Sequence, residues 1–208
     1  MFKALIVDDH PIIRSSVRML LKTQHFNVVA ETGNGVEAVQ LAREHVPDLI
    51  VLDISMPLLD GLEVISRIKA WGLAIKILVL TSQQAKFYAR RCMIGGASGY
   101  VSKDGDLGEL TRAIKVIMDG YSFFPDLPGS SVRLIDNEES EQKMIQQLSN
   151  RELMILQQLA RGFSNKEISE AMLLSNKTVS TYKSRLVEKL NVKSIVYLAD
   201  FAKRNSLI

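Results

Sequence analysis

Short apolar runs bounded by polar residues recur along the first hundred residues, at Ala4–Val7, Val28–Ala30, Leu49–Leu52 and Ile75–Leu80. Runs of this length without alternation read as strands buried on both faces. Between them the apolar positions switch to helical spacing: Val17, Leu20 and Leu21 after Pro11, then Val36, Val39 and Ala42 within Val36–Val46, then Leu62, Ile65 and Ile68. A helix over 85–94 leads through Gly95 and Gly96 to a fifth strand at Gly99–Lys103. Leu110, Ile114 and Ile117 mark a last helix over Leu107–Met118. Five β–α units in succession predict a doubly wound, five-stranded parallel sheet with helices on both faces. In the order 2-1-3-4-5, strands one and three are neighbours, and ligands bind outside the carboxyl ends of the strands.

That topology gathers chemistry at one edge. Asp8 and Asp9 follow the first strand, Asp53 the third, Thr81 the fourth and Lys103 the fifth. Pro57 turns the chain shortly after Asp53. Singly, each residue has an ordinary explanation as a cap, a β-former or a solvated charge. All five on one sheet edge point to a site. Clustered carboxylates repel one another without a cation, and an all-oxygen set suits Mg²⁺. A nucleophilic carboxylate, a divalent metal and a lysine together suggest phosphoryl transfer onto aspartate. In that reading Asp53 attacks, Asp8 and Asp9 hold the metal, and Lys103 and Thr81 bind phosphoryl oxygens. His10, His25 and His45 are scattered and lack ligand spacing; only His10 borders the acidic group.

Past residue 148 the periodicity is helical throughout. Ser149 with Glu152 and Ser164 with Glu167 form two capping boxes. Leu153, Leu156, Leu159 and Ala160 follow the first, Gly162 ends that helix, and Ile168, Ala171 and Met172 follow the second. Ser175 caps a third helix with Val179, Tyr182, Leu186 and Leu190 inward, and Ser194 starts a fourth with Ile195, Leu198, Phe201 and Ala202. A short helix, a tight turn and a longer helix describe a helix-turn-helix. The outer face of the longer helix carries Lys177, Ser180, Thr181, Lys183, Ser184 and Arg185, where cations suit phosphates and hydroxyls suit base edges.

Charge sharpens this division. Residues 149–208 hold 10 Lys/Arg against 5 Asp/Glu, whereas residues 1–124 are near balance with 14 against 13. The basic end favours an anionic partner. The predicted organisation is a domain at 1–120, a linker at 121–147 rich in Pro, Gly, Ser and acids, and an all-α four-helix domain at 148–208. Phe123 and Phe124 are expected to anchor the linker's start. No apolar run spans a bilayer, the N-terminus enters a strand at once, and the single Cys92 agrees with a reducing cytoplasm.

Asp8-Asp9, Asp53 with Met56-Pro57-x-x-Asp60-Gly61, Thr81-Ser82 and Gly99-Tyr100-x-x-Lys103 resemble the CheY-like receiver domain of bacterial response regulators. Leu148-Ser-Asn-Arg-Glu152, Gly162-x-Ser-Asn-Lys-Glu-Ile168 and Ser175-x-Lys-Thr-Val-Ser-Thr-Tyr-Lys-x-Arg-Leu186 resemble the LuxR-type helix-turn-helix. Together they resemble the NarL/FixJ family, most of all the BvgA/EvgA virulence-type regulators. The resemblance implies a two-component transcription regulator and not an enzyme. Asp53 would accept phosphoryl from a histidine kinase, of the hybrid sensor type, or from a phosphotransfer domain. Mg²⁺ would lie between Asp8 or Asp9, Asp53 and the Ser55 backbone carbonyl. Thr81 and Tyr100 would act as a switch pair, the hydroxyl moving toward the phosphoryl group and the ring turning inward. Partners would be double-stranded promoter DNA, a second copy of the chain through the last helix, and RNA polymerase; Lys166 and Thr178 join the candidate DNA contacts. The residue after Lys103 is a cis-proline in many receivers. Here it is Asp104, for which a cis bond would cost about 2.5–4 kcal/mol, and the isomer stays open. A competing enzyme, a phosphatase or phosphotransferase with an aspartyl-phosphate intermediate, would need a substrate cap and a general acid, and neither is legible.

Overall fold

The computed structural model describes residues 1–56, 59–125, 136–192 and 194–208. The turn expected from Pro57 and the middle of the expected linker, 126–135, lie outside them. The chain divides into two compact units, Met1–Gly129 and Ser130–Ile208.

The first unit alternates β1 (Lys3–Val7), α1 (Pro11–Thr23), β2 (Asn27–Thr32), α2 (Gly35–His45), β3 (Leu49–Leu52), α3 (Gly61–Lys69), β4 (Lys76–Thr81), α4 (Ala85–Gly95), β5 (Gly99–Ser102) and α5 (Leu107–Met118). The five strands form one parallel sheet in the order β2-β1-β3-β4-β5. Successive side chains of a strand point to opposite faces. Ala4, Ile6, Leu49, Val51, Leu78 and Leu80 therefore share one face, packed with Val17 and Leu21 of α1 and Leu110 and Ile114 of α5. Leu5, Val7, Ile50, Leu52, Ile77 and Val79 take the other face and are equally buried. Burial on both faces explains why these strands read as unbroken apolar runs. β2 lies at the sheet's edge and is only half-buried.

Register decides the functional edge. Val7 pairs with Leu52, and Thr81 with Ser102. The next residues, Asp8 beside Asp53 and Lys103 beyond Thr81, emerge together. Backbone bonds fix them there: Asp53 N–H donates to Val7 O at 2.8 Å, Asp8 N–H to Thr32 O at 3.0 Å and Lys103 N–H to Thr81 O at 2.9 Å. No described peptide bond is cis, so Lys103–Asp104 is trans. Phe123 anchors the chain after α5 as expected: its carbonyl accepts from Tyr100 N–H at 2.8 Å, and its ring packs against the core. Phe124 is half-buried.

The second unit contains α6 (Asp136–Gln147), α7 (Asn150–Ala160), α8 (Asn165–Ala171), α9 (Asn176–Lys189) and α10 (Ile195–Arg204). Both expected capping boxes are formed. Gly162 takes a left-handed φ of 91° just past α7. Leu153, Leu156, Val179, Leu186, Leu198 and Phe201 form the buried centre. The linker reading at 121–147 is corrected by α6, which fills its second half. Composition there is polar and acidic, so no long apolar stripe announces a helix. Ile145, on the last turn of α6, and Leu148 just beyond it are nonetheless buried. One turn earlier, Glu141 accepts hydrogen bonds from Arg204 Nη2 and Asn205 Nδ2, both at 2.6 Å. Packing of a short stripe and one ion pair supply what propensity and periodicity did not. No helix among the described residues is long and apolar enough to cross a membrane.

Candidate functional site

Asp8, Asp9, His10 and Asp53 each bring a ligand atom into a group spanning 4.8 Å. Asp8 and Asp53 are 3% and 2% exposed. Two carboxylates that deep cannot stay charged without compensation. Lys103 provides it: its Nζ lies 2.6 Å from Asp53 Oδ2 and 2.7 Å from Asp8 Oδ2. Burial works against the ammonium, but Asp53 and Asp8 outweigh that penalty and hold it above the ordinary lysine range. Asp9 is half-buried. Its Oδ1 is buried without a hydrogen-bond partner, although His10 Nδ1 lies 2.6 Å away, close but not aligned to donate. The three carboxylates of this group, one with an unsatisfied oxygen, fit a hard divalent cation.

The second carboxylate oxygen of Asp53, Oδ1, accepts from Ser55 N–H at 3.0 Å. The loop that carries Ser55 is pressed against α3. A Cβ on Gly61 would lie 2.4 Å from Asp53 O and 2.6 Å from Ile54 Cα, so only glycine fits there. Asp60 caps the same helix through Glu63 N–H at 3.0 Å.

Thr81 is fully buried. Its hydroxyl oxygen accepts a long 3.4 Å bond from Gln83 N–H. Tyr100 is also buried, with its ring inward and its hydroxyl donating to Gln83 O at 2.6 Å. Burial, ahead of nearby Cys92, Tyr88 and Asp53, pushes the Tyr100 phenol well above the usual range, so it stays a neutral donor. Gln83 also donates from Nε2 to Ser55 Oγ at 2.9 Å. It thus ties the Asp53 loop to Thr81 and Tyr100. Motif reading missed Gln83, yet its position two residues past the end of β4, on the ligand-binding edge, was a usable signal.

In the second unit Met172–Ser175 join α8 to α9, with Leu173 at a left-handed φ of 51°. Lys177, Ser180, Thr181, Ser184 and Arg185 are exposed on α9, and Lys166 is exposed on α8. Thr181 Oγ1 donates to Lys177 O at 3.0 Å and Ser184 Oγ to Ser180 O at 3.3 Å, bonds that do not use the acceptor capacity of either hydroxyl oxygen. Thr178 is drawn into the helix cap, its Oγ1 2.8 Å from Ser175 Oγ. Lys183 is half-buried and donates to Asn165 Oδ1 at 2.8 Å. Lys189 pairs with Glu152 at 2.8 Å and holds α9 against α7.

Residues 4–115 match the model of the response regulator receiver domain, and residues 146–202 that of bacterial regulatory proteins of the luxR family. The chain is 52% identical over 205 residues to the virulence-factor transcription regulator BvgA of Bordetella pertussis, covering 99% of this chain and 98% of that one. A solved structure of two RcsB dimers bound to two parallel DNAs is 26% identical, covers 97% of this chain and 98% of its own, and superposes with a TM-score of 0.56. RcsB from Salmonella enterica serovar Typhimurium, bound to a promoter in the presence of a phosphomimetic, is 27% identical with a TM-score of 0.58 and covers 96% and 97% of the two chains. The acidic edge with its lysine and the helix-turn-helix beyond it are those of a two-component transcription regulator, and the chain belongs to the response regulators of NarL/FixJ type, a receiver followed by a LuxR-type DNA-binding domain.

Proposed function

We propose that Asp53 accepts a phosphoryl group from a sensor histidine kinase, of the hybrid type, or from its phosphotransfer domain, and that the modified chain dimerises and binds promoter DNA. The observation that carries this reading is the register that sets Asp53 beside Asp8 and puts Lys103 between them. The P–N bond of a phosphohistidine donor breaks as a P–O bond forms to an Asp53 carboxylate oxygen, and the imidazole leaves with a proton from solvent. Asp8, Asp9, Asp53 and the Ser55 carbonyl would hold Mg²⁺, which when bound neutralises charge on the phosphoryl oxygens. Lys103 exchanges its carboxylate partner for a phosphoryl oxygen. Thr81 gives up only a 3.4 Å bond to reach another. The Tyr100 ring already lies inward here, so the motion left to the pair is that of the hydroxyl.

On the DNA side, Lys166, Lys177, Lys183 and Arg185 meet phosphates, while Ser180, Thr181 and Ser184 face base edges. Thr178 serves chiefly the cap of α9. The DNA-bound RcsB dimers support a dimer as the species that binds DNA.

Light scattering with acetyl phosphate and Mg²⁺ tests this. The parent chain is expected to double its mass, and Asp53→Asn to stay at the mass of the untreated chain. Equal masses for both proteins, with and without the phosphodonor, overturn it.

A further inference from the structure

Asn165 occupies the first turn of α8, where sequence reading gives it only a place within a capping box. The structure uses its side chain differently. Its Nδ2 donates to Ser180 Oγ at 3.1 Å, and its Oδ1 accepts from Lys183 Nζ at 2.8 Å. Both partners lie on α9, three residues apart and so on one face. That face is the one read as meeting DNA. The bridge is directional: turning the amide over would set its NH₂ against the Lys183 ammonium, donor against donor. Asn165 is not needed to cap its own helix, because Ser164 and Glu167 do that.

The partner's charge matters. Lys189 is paired with Glu152, and Lys166 lies 4.0 Å from Glu170. Lys183 is held by a neutral oxygen. One of its three N–H bonds fixes the flexible stem, and two remain, with the full positive charge, for phosphate oxygens. We infer that Asn165 is a positioning residue for DNA recognition, a neutral clamp that preorganises Lys183 and Ser180 of α9 without discharging the lysine. The inference rests on the reading that the outer face of α9 meets DNA.

The test is a double-mutant cycle on the full chain, treated with acetyl phosphate. The probe is a duplex selected from a randomised pool by the parent protein, and affinity is measured across a salt series. Asn165→Ala is expected to weaken binding about three- to tenfold, the scale of immobilising one flexible side chain on association. It leaves the log–log salt slope unchanged, because no cation is lost. Lys183→Ala lowers that slope by about 0.9. The double variant is expected to lose less than the product of the two single losses, because only the Ser180 half of the bridge is left to lose, and all variants keep the parent's far-UV spectrum and melting temperature. Multiplied losses in the double variant, or a fall in melting temperature that accounts for the Asn165→Ala loss, overturn the inference. Should Lys183→Ala keep the parent's affinity and slope, the DNA-facing reading of Lys183 fails and takes the clamp with it. Should Lys183→Ala weaken binding while the cycle is additive, the clamp alone fails.

Discussion

Replacing Lys103 by methionine removes a charge and keeps most of the stem. In the structure that charge is shared by Asp8 and Asp53, all three side chains being less than a tenth exposed. Taking one partner out of a buried ionic group typically costs ~3–5 kcal/mol, because the remaining charge is left uncompensated. At a urea dependence of about 2 kcal/mol per molar, that loss moves the unfolding midpoint down by about 2 M. Trp71 is the sole tryptophan and lies just after α3, so its fluorescence reports on the first unit alone. Burial opposes the Lys103 charge, Asp53 and Asp8 more than offset it, and the folded pKa lies above the unfolded one. The stabilisation is then fully present below the unfolded value of about 10.4 and is lost as pH rises through the folded value. The gap between parent and variant should be constant from about pH 6 to 9 and close only in strong alkali. In EDTA the full gap is expected. At a Mg²⁺ concentration about a hundredfold above the parent's dissociation constant the parent gains ~2.7 kcal/mol; at the same concentration the variant is expected to gain more, because a cation that replaces the missing charge binds it more tightly. A variant that unfolds at the parent's midpoint in EDTA would refute the reasoning, since Lys103 would then not be the counter-ion of the buried pair.

Two further perturbations probe the surroundings. Gly61→Ala drives a methyl group to 2.4 Å from the Asp53 carbonyl, which is backbone and cannot swing aside; an overpacking loss of ~1–3 kcal/mol and slower acetyl-phosphate labelling of Asp53 are expected, read by Trp71 unfolding and by phosphoprotein mass. Glu152 closes the α7 capping box onto Ser149 N–H at 2.7 Å and accepts from Lys189 at 2.8 Å. Burial alone would raise its pKa, yet Lys189 and Ser149 hold it below the ordinary carboxylate range. Its stabilisation is therefore present above about pH 4.3 and lost as pH falls through the folded value. Glu152→Gln should lower the melting temperature of the helical unit at pH 7, for a loss of ~1–3 kcal/mol, and shrink the difference from the parent near pH 3.

What the sequence disclosed follows what physics writes locally. Leu49–Leu52 and Leu107–Met118 have the observed bounds, because unbroken burial and strict helical spacing leave little choice of boundary. β2 extends beyond Val28–Ala30 to Asn27–Thr32, since an edge strand tolerates Glu31 and Thr32 and loses its apolar signature. α6 escaped because its reasons are tertiary: Ile145 in a distant core and Glu141 against Arg204. The site's charged residues were legible because strand ends and sheet order determine where they meet. Gln83 and Asn165 were not, since a neutral amide gains meaning only from its partners' positions.

Lys103 and Lys183 are held in opposite ways, and the difference suits the work proposed for each. Lys103 is locked between two carboxylates, so its charge is hidden from outside; in the proposed function a stronger anion draws it away. A phosphoryl group on Asp53 brings about −1.5 to −2 charges into the same space and is such an anion. Lys183 is held by a neutral amide and keeps its charge on display. A stored cation suits a switch that must respond to one added group. A displayed cation suits a surface that must find a polyanion. On the proposed reading, exchanging the two arrangements would defeat both: an acidic partner for Lys183 would cancel the charge offered to DNA, and an amide partner for Lys103 would leave Asp8 and Asp53 buried and unpaired.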